Sequence, residues 1–210
     1  MSLRNHALEF RPLRGGVAIW NPQAGGVGSL GMILLDRNGD RWALSAYHVI
    51  ARPAGRPIAA AEPIYQPQPR DPSSLLGHSD PARARPDLDA AAALVRADCA
   101  AVPEILGIGR LAPPVPPAIN MRVIKAGQET GITEGRITGI NGDSVTITRP
   151  PDFPADYDLS NIGDSGSIWL ERDARAPVAL HVGGNDTGDE KAFAINIRSI
   201  LAALDLVPLT

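Results

Sequence analysis

Met32-Ile33-Leu34-Leu35-Asp36-Arg37-Asn38-Gly39-Asp40-Arg41-Trp42-Ala43-Leu44-Ser45-Ala46 carries the pattern on which the fold turns. An apolar run, a polar stretch and a second apolar run read as strand, turn and returning strand. Asn38-Gly39 supplies the turn, because these residue types readily take the positive φ angles that tight hairpins require. Asn141-Gly142-Asp143 repeats the signal between runs at 135–140 and 144–148. Further short apolar or alternating runs lie at 16–20, 121–125, 167–170, 178–182 and 192–197.

Working outward, the punctuation agrees with strands. The chain holds 21 Gly and 20 Pro in 210 residues, too many helix breakers for a bundle but suited to short strands joined by turns. Residues 51–86, rich in Pro, Ala, Arg and Ser, are too long for a plain connector. A strand is expected near 63–66, with a mobile remainder. Leu111-Ala112-Pro113-Pro114-Val115-Pro116-Pro117 reads as a stiff, extended linker. It divides the chain into 1–112 and 118–210. Ile200, Leu201, Ala203 and Leu204 share one helical face, so 198–206 reads as a short amphipathic helix. Pattern alone therefore gives an all-β chain of two barrels or sandwiches with a C-terminal helix.

Composition narrows the partners. Twenty basic and 23 acidic residues leave a net charge of −3, with no global attraction to nucleic acid or an anionic membrane. No run approaches the roughly 18–20 apolar residues of a membrane span, and no secretory leader is visible. Cys99 is the only cysteine, so no internal disulfide forms. A cytoplasmic location is the expectation. His6, His48, His78 and His181 show no metal-ligand spacing, and no metal or cofactor is expected.

Three elements carry chemistry. Gly163-Asp164-Ser165-Gly166-Ser167 is a turn whose glycines leave Ser165 exposed while backbone N–H groups converge. A serine hydroxyl needs a general base, and His48 follows the apolar run 42–46. The base needs a carboxylate, offered by Asp87 or Asp89 at the start of Ala90-Ala91-Ala92-Ala93. Each element has an ordinary structural reading: a surface turn, a half-buried histidine, solvated acids. Their order of His, Asp, Ser on either side of the linker favours one catalytic triad in a cleft between two β units.

These motifs resemble the trypsin/chymotrypsin superfamily, in particular its bacterial, disulfide-free members. Ser45-Ala46-Tyr47-His48-Val49 is similar to the family's Thr/Ser-Ala-Ala-His motif. Asp89-Ala90-Ala91 resembles its Asp-apolar-Ala motif, which favours Asp89 over Asp87. Residues 163–167 match the nucleophile motif, with Ser167 where many members have glycine. Lys125-Ala126-Gly127 and Thr130–Gly135 resemble a Gly/Thr-rich hairpin of bacterial relatives.

The resemblance implies two six-stranded antiparallel β-barrels, chymotrypsin-like, with a short C-terminal helix. It implies a serine endopeptidase without a cofactor, acting on protein or peptide substrates through His48, Asp89 and Ser165. The N–H groups of Gly163 and Ser165 would form the oxyanion hole. The specificity-pocket floor would fall at Leu159, which gives a basic P1 residue no counter-charge. Residues 178–184 resemble a stretch of glutamyl endopeptidases, which makes Ser160, His181 and Gly184 candidate substrate-binding residues. Acidic P1 and small or apolar P1 both stay open. Asp164 stands where cleavage-activated members pair a new amino terminus, for which Arg14-Gly15-Gly16-Val17 is a candidate cut; a local Arg, Lys or backbone partner is the favoured reading. The rival to an active enzyme is a latent or non-catalytic fold that binds protein, or awaits cleavage or a regulatory protein partner.

Overall fold

The computed structural model describes residues 8–24, 26–51, 61–69, 71–154, 156–185 and 190–210. The first half contributes β1 (Leu13–Gly15), β2 (Ala18–Trp20), β3 (Val27–Ser29), β4 (Met32–Leu35), β5 (Arg41–Ala46) and one helical turn, α1 (Tyr47–Ile50). It continues with β6 (Pro63–Tyr65), β7 (Leu75–Arg85), β8 (Ala90–Val95), β9 (Ala101–Ile105) and β10 (Gly109–Arg110). The second half forms β11 (Arg122–Gly127), β12 (Gly131–Asn141), β13 (Ser144–Thr148), β14 (Ile168–Glu171), β15 (Pro177–Asn185) and β16 (Lys191–Asn196). Helix α2 (Ile197–Leu204) and β17 (Val207–Pro208) close the chain.

Strands β11-β12-β13-β16-β15-β14 close a six-stranded barrel, entirely antiparallel. The other main sheet has eight strands in the order β17-β4-β5-β8-β7-β6-β2-β3 and curls without closing on itself. A small third sheet, β1-β9-β10, includes the parallel pair β1–β9. The eight-stranded sheet is a curled half-barrel that, with the closed barrel, fits the expected two-barrel fold. Its edge strand β3 spends the Ser29 N–H on the carbonyl of Ser165, 2.8 Å away. Its other edge is covered by β17, which pairs with β4.

Three apolar clusters hold these layers. One lies within the curled sheet and one within the closed barrel. The third joins the two: Met32, Leu34, Trp42 and Leu44 pack with Ile168, Leu170, Leu180 and the α2 residues Ile200 and Leu204. Helix α2 starts on Asn196, whose side chain accepts from the Arg198 N–H, satisfying a donor that the first turn leaves over. The segment 111–118 has no helix or strand, as a proline-rich linker should.

The stretch 51–86 is more ordered than its composition suggests. Pro63–Tyr65 is the expected strand, but Leu75–Arg85 forms an eleven-residue strand paired with β8. The cause is non-local, since β8 supplies a ready edge that composition cannot reveal. The expected mobile remainder otherwise falls partly on 52–60 and 70, outside the described residues. Among the described residues no helix is long and apolar enough to cross a membrane.

Candidate active site

Strand register decides which acid meets His48. Strands β5 and β8 are antiparallel, with Ser45 opposite Ala91 and Ala46 opposite Ala90. The next step outward sets Asp89 against Tyr47 and His48. The Tyr47 N–H donates to the Asp89 carbonyl at 2.9 Å. The His48 N–H donates to Asp89 Oδ1 at 3.1 Å, and His48 Nδ1 lies 2.8 Å from Oδ2. Asp89 sits at φ +44°, a left-handed conformation that aspartate tolerates better than most residues. Asp87, the alternative acid, turns outward and is gripped by Arg85 at 2.8 and 3.0 Å.

Ser165 sits on a turn closed by the Asp164 N–H donating to Asn161 and the Ser167 N–H donating to Asp164, each at 3.0 Å. Gly163 and Gly166 have φ of +109° and +94°. A Cβ on Gly166 would overlap the Ser45 hydroxyl and the Ser29 carbonyl, so a larger residue cannot stand there. Strand β3 grips the turn twice, through Ser29 N–H to Ser165 and Ser29 Oγ to the Gly163 carbonyl at 2.9 Å. Neither the Gly163 nor the Ser165 N–H donates to another described residue. The Ser165 hydroxyl likewise has no hydrogen-bond partner among the described residues, His48 included.

His48, Gly163, Ser165, Ser160, His181 and Gly184 line one cavity of about 580 Å³. The fold therefore brings the candidate catalytic, oxyanion-hole and substrate-binding residues to one place. Leu159 is a correction: the expected pocket floor is fully buried in the barrel core and does not line this cavity. Its leucine side chain finds apolar partners inside the barrel. Ile162, 93% exposed, forms part of the cavity's lip.

Behind the turn lies a buried ion pair. Lys125 Nζ and Asp164 Oδ2 are 2.8 Å apart, and both side chains are fully buried. Thr130 Oγ1 and the Asn161 N–H also donate to Oδ2, and the N–H groups of Glu129 and Thr130 donate to Oδ1. Burial acts to raise the Asp164 pKa, but the Lys125 charge and these hydrogen bonds reverse it and hold the carboxyl below its usual range. Asp164 thus has its cation inside the chain, and the candidate cut site Arg14–Val17 supplies nothing to it. Gly15 in that segment instead pairs with β9.

Two further groups shape the pocket. Trp169 Nε1 donates to His181 Nδ1 at 3.4 Å. Burial, together with the charges of Lys125 and His48, pushes His181 down to about 3 against an opposing pull from Asp164. Glu190 accepts from the N–H groups of Leu159 and Ser160 at 2.9–3.0 Å, from behind the Ser160 wall. Sequence reading missed Lys125, Trp169 and Glu190 in these roles. Lys125 left one signal, since it alternates with Val123 on an inward face where a charge requires a partner. Among the described residues no three His, Cys, Asp or Glu cluster as metal ligands would.

No protein-family model matches the chain, and no match is found among curated proteins. Solved structures do match. A glutamic acid specific serine protease that utilizes a histidine triad in substrate binding aligns with TM-score 0.72 and 17% identity, over 94% of this chain and 100% of that one. Nocardiopsis protease (NAPase) gives 0.63 and 16%, over 94% and 98%. Cellulomonas bogoriensis chymotrypsin gives 0.62 and 19%, over 96% and 100%. At these identities the likeness shows the fold, which is trypsin/chymotrypsin-like.

Proposed function

We propose that this trypsin/chymotrypsin-like chain is a serine endopeptidase in which Ser165 is the nucleophile, His48 the general base and Asp89 the group that orients it. The observation that carries the reading is the 2.8 Å contact of Asp89 Oδ2 with Nδ1 of His48, a residue that lines one cavity with Ser165. A carboxylate at Nδ1 keeps a proton there and leaves Nε2 with a free lone pair. Nε2 takes the Ser165 proton as Oγ bonds to the scissile carbonyl carbon. It then returns the proton to the leaving amine, leaving an acyl-enzyme that water hydrolyses by the same steps.

The tetrahedral oxyanion would accept from the Gly163 and Ser165 N–H groups, which no described residue occupies. Each such donor contributes about 3–4 kcal/mol at the transition state. On this reading 1–112 and 118–210 act as halves of one peptidase unit, and the substrate is a protein or peptide.

One observation favours a second reading, a latent form: Ser165 Oγ is not hydrogen-bonded to His48. Nucleophile and base often tighten only once substrate arrives, so we retain the enzyme reading. Labelling with a fluorophosphonate probe decides it. Labelling of the wild type that vanishes in Ser165→Ala and His48→Ala is the expected result. An unlabelled, well-folded wild type would favour the latent reading and direct the search to an activating cleavage or partner.

A further inference from the structure

We infer that the site takes a P1 side chain that is uncharged and ends in a carbonyl oxygen, a carboxamide of the glutamine type, with His181 Nε2–H as its donor and Trp169 as the positioning residue that puts the proton there. The inference rests on the endopeptidase reading.

Charge is the first argument. No Lys or Arg lines the cavity among the described residues. The cation behind it, Lys125, is matched by Asp164 in a fully buried pair. The carboxylate of Glu190 backs the Ser160 wall. A P1 carboxylate would therefore lose its water without meeting an unmatched cation among the described residues.

The second argument is the proton on His181. An indole N–H only donates, so the nitrogen facing Trp169 Nε1 must accept. Nδ1 is then bare, and in the neutral ring the proton sits on Nε2. His181 is 1% exposed, and burial with Lys125 and His48 nearby keeps it neutral across ordinary pH. Nε2 has no partner among the described residues, although His181 lines the cavity.

The pocket therefore offers a neutral N–H donor. The Ser160 hydroxyl, close against Gly184 in the same cavity, can donate or accept. A carboxamide matches both, with its oxygen to His181 and its NH₂ to Ser160. An aliphatic P1 would leave the His181 N–H buried and unpaired, and sites of this kind discriminate against such analogues.

The test uses the full chain and peptide substrates identical except at P1, with Gln, Glu, Leu or Lys, at pH 7.5. The expected kcat/KM for Gln exceeds that for Glu and for Leu by roughly 10- to 100-fold. Trp169→Phe should cut the Gln-to-Leu ratio about tenfold, since the ring proton is then free to move to Nδ1. Nitrogen-15 NMR of wild-type His181 should show a protonated Nε2 and a bare Nδ1, a readout that depends neither on turnover nor on the variant folding. Preference for Glu or Leu in fluorophosphonate-reactive protein, or an Nδ1-protonated His181, would overturn this inference and leave the protease reading intact. Failure of the probe to label well-folded wild type would favour the latent reading over the endopeptidase reading, and this inference would fall with the latter.

Discussion

His48, Asp89 and His181 show how position sets what one side chain can do. His48 is about one-third exposed and holds its carboxylate partner through Nδ1, whereas His181 is buried and its ring accepts from an indole donor. On the proposed mechanism Asp89→Asn should lower kcat by about 10⁴ with the fold retained, because an amide no longer selects the tautomer that leaves Nε2 free. Turnover beside circular dichroism checks it, and near-normal turnover in that variant would remove Asp89 from the triad. His181 carries a separate pH dependence. Its pKa is held near 3, well below the ordinary 6.5 of an unfolded chain. Below about 6.5 the unfolded state therefore binds a proton that the native state refuses, and stability falls with pH by about 1.4 kcal/mol per unit. Urea midpoints at pH 7 and 5 should drop less in His181→Gln than in wild type. Equal drops would show that His181 is protonated in the native state.

At the scale of elements, the nucleophile turn of the second half is held by strands of the first. Strand β3 fixes Gly163 and Ser165 through Ser29, and β5 fixes β3 through Ser45 Oγ donating to the Ser29 carbonyl at 2.8 Å. Gly28 leaves the room for this. A Cβ there would overlap the Val49 side chain and come within 3.0 Å of the Ser165 carbonyl. Gly28→Ala should cost about 1–3 kcal/mol and slow fluorophosphonate labelling, and Val49→Ala in the same chain should restore part of both. No rescue in the double variant would mean that the crowding acts elsewhere. The opening hairpin shows the limit of local reading. Gly39 takes the positive φ, +83°, but Asn38 does not. Asp36 Oδ1 instead accepts from the N–H groups of Asn38 and Asp40, so the turn is made by a side chain before the Asn-Gly pair.

At the scale of the molecule, the Lys125–Asp164 pair ties β11 of the closed barrel to the turn that β3 grips from the other side. Removing one partner leaves the other charge buried and alone. Lys125→Met should therefore cost about 3–5 kcal/mol in denaturant unfolding and suppress Ser165 labelling. A cost under about 1 kcal/mol would show that the pair is not desolvated. The sign of the acid response follows from the lowered Asp164 pKa. Its stabilisation is complete above the ordinary carboxylate pKa of about 4 and is lost as pH falls below it, separate from the His181 window. Acid unfolding below about pH 4 should be less steep in a Lys125→Met/Asp164→Leu double variant than in wild type.

Local pattern in the chain is enough for the all-β class, most strands, the terminal helix and the short list of His48, Ser165 and either Asp87 or Asp89. Alternation of apolar residues, Gly and Pro at turns and a Gly-flanked serine are all properties of neighbours in sequence. Pattern leaves Asp87 and Asp89 both open and only the family resemblance favours Asp89; the β5–β8 register is what sets Asp89 beside His48. What surrounds these residues emerges only when the chain is folded. Lys125 reaches Asp164 across 39 positions, Glu190 reaches Ser160 across 30, and Trp169 reaches His181 across 12. None of these pairs leaves a periodic signal, because each joins segments that meet only in the folded chain. Burial then keeps His181 neutral while Lys125 and hydrogen bonds hold Asp164 ionised against it, and both conditions exist only once the chain is folded.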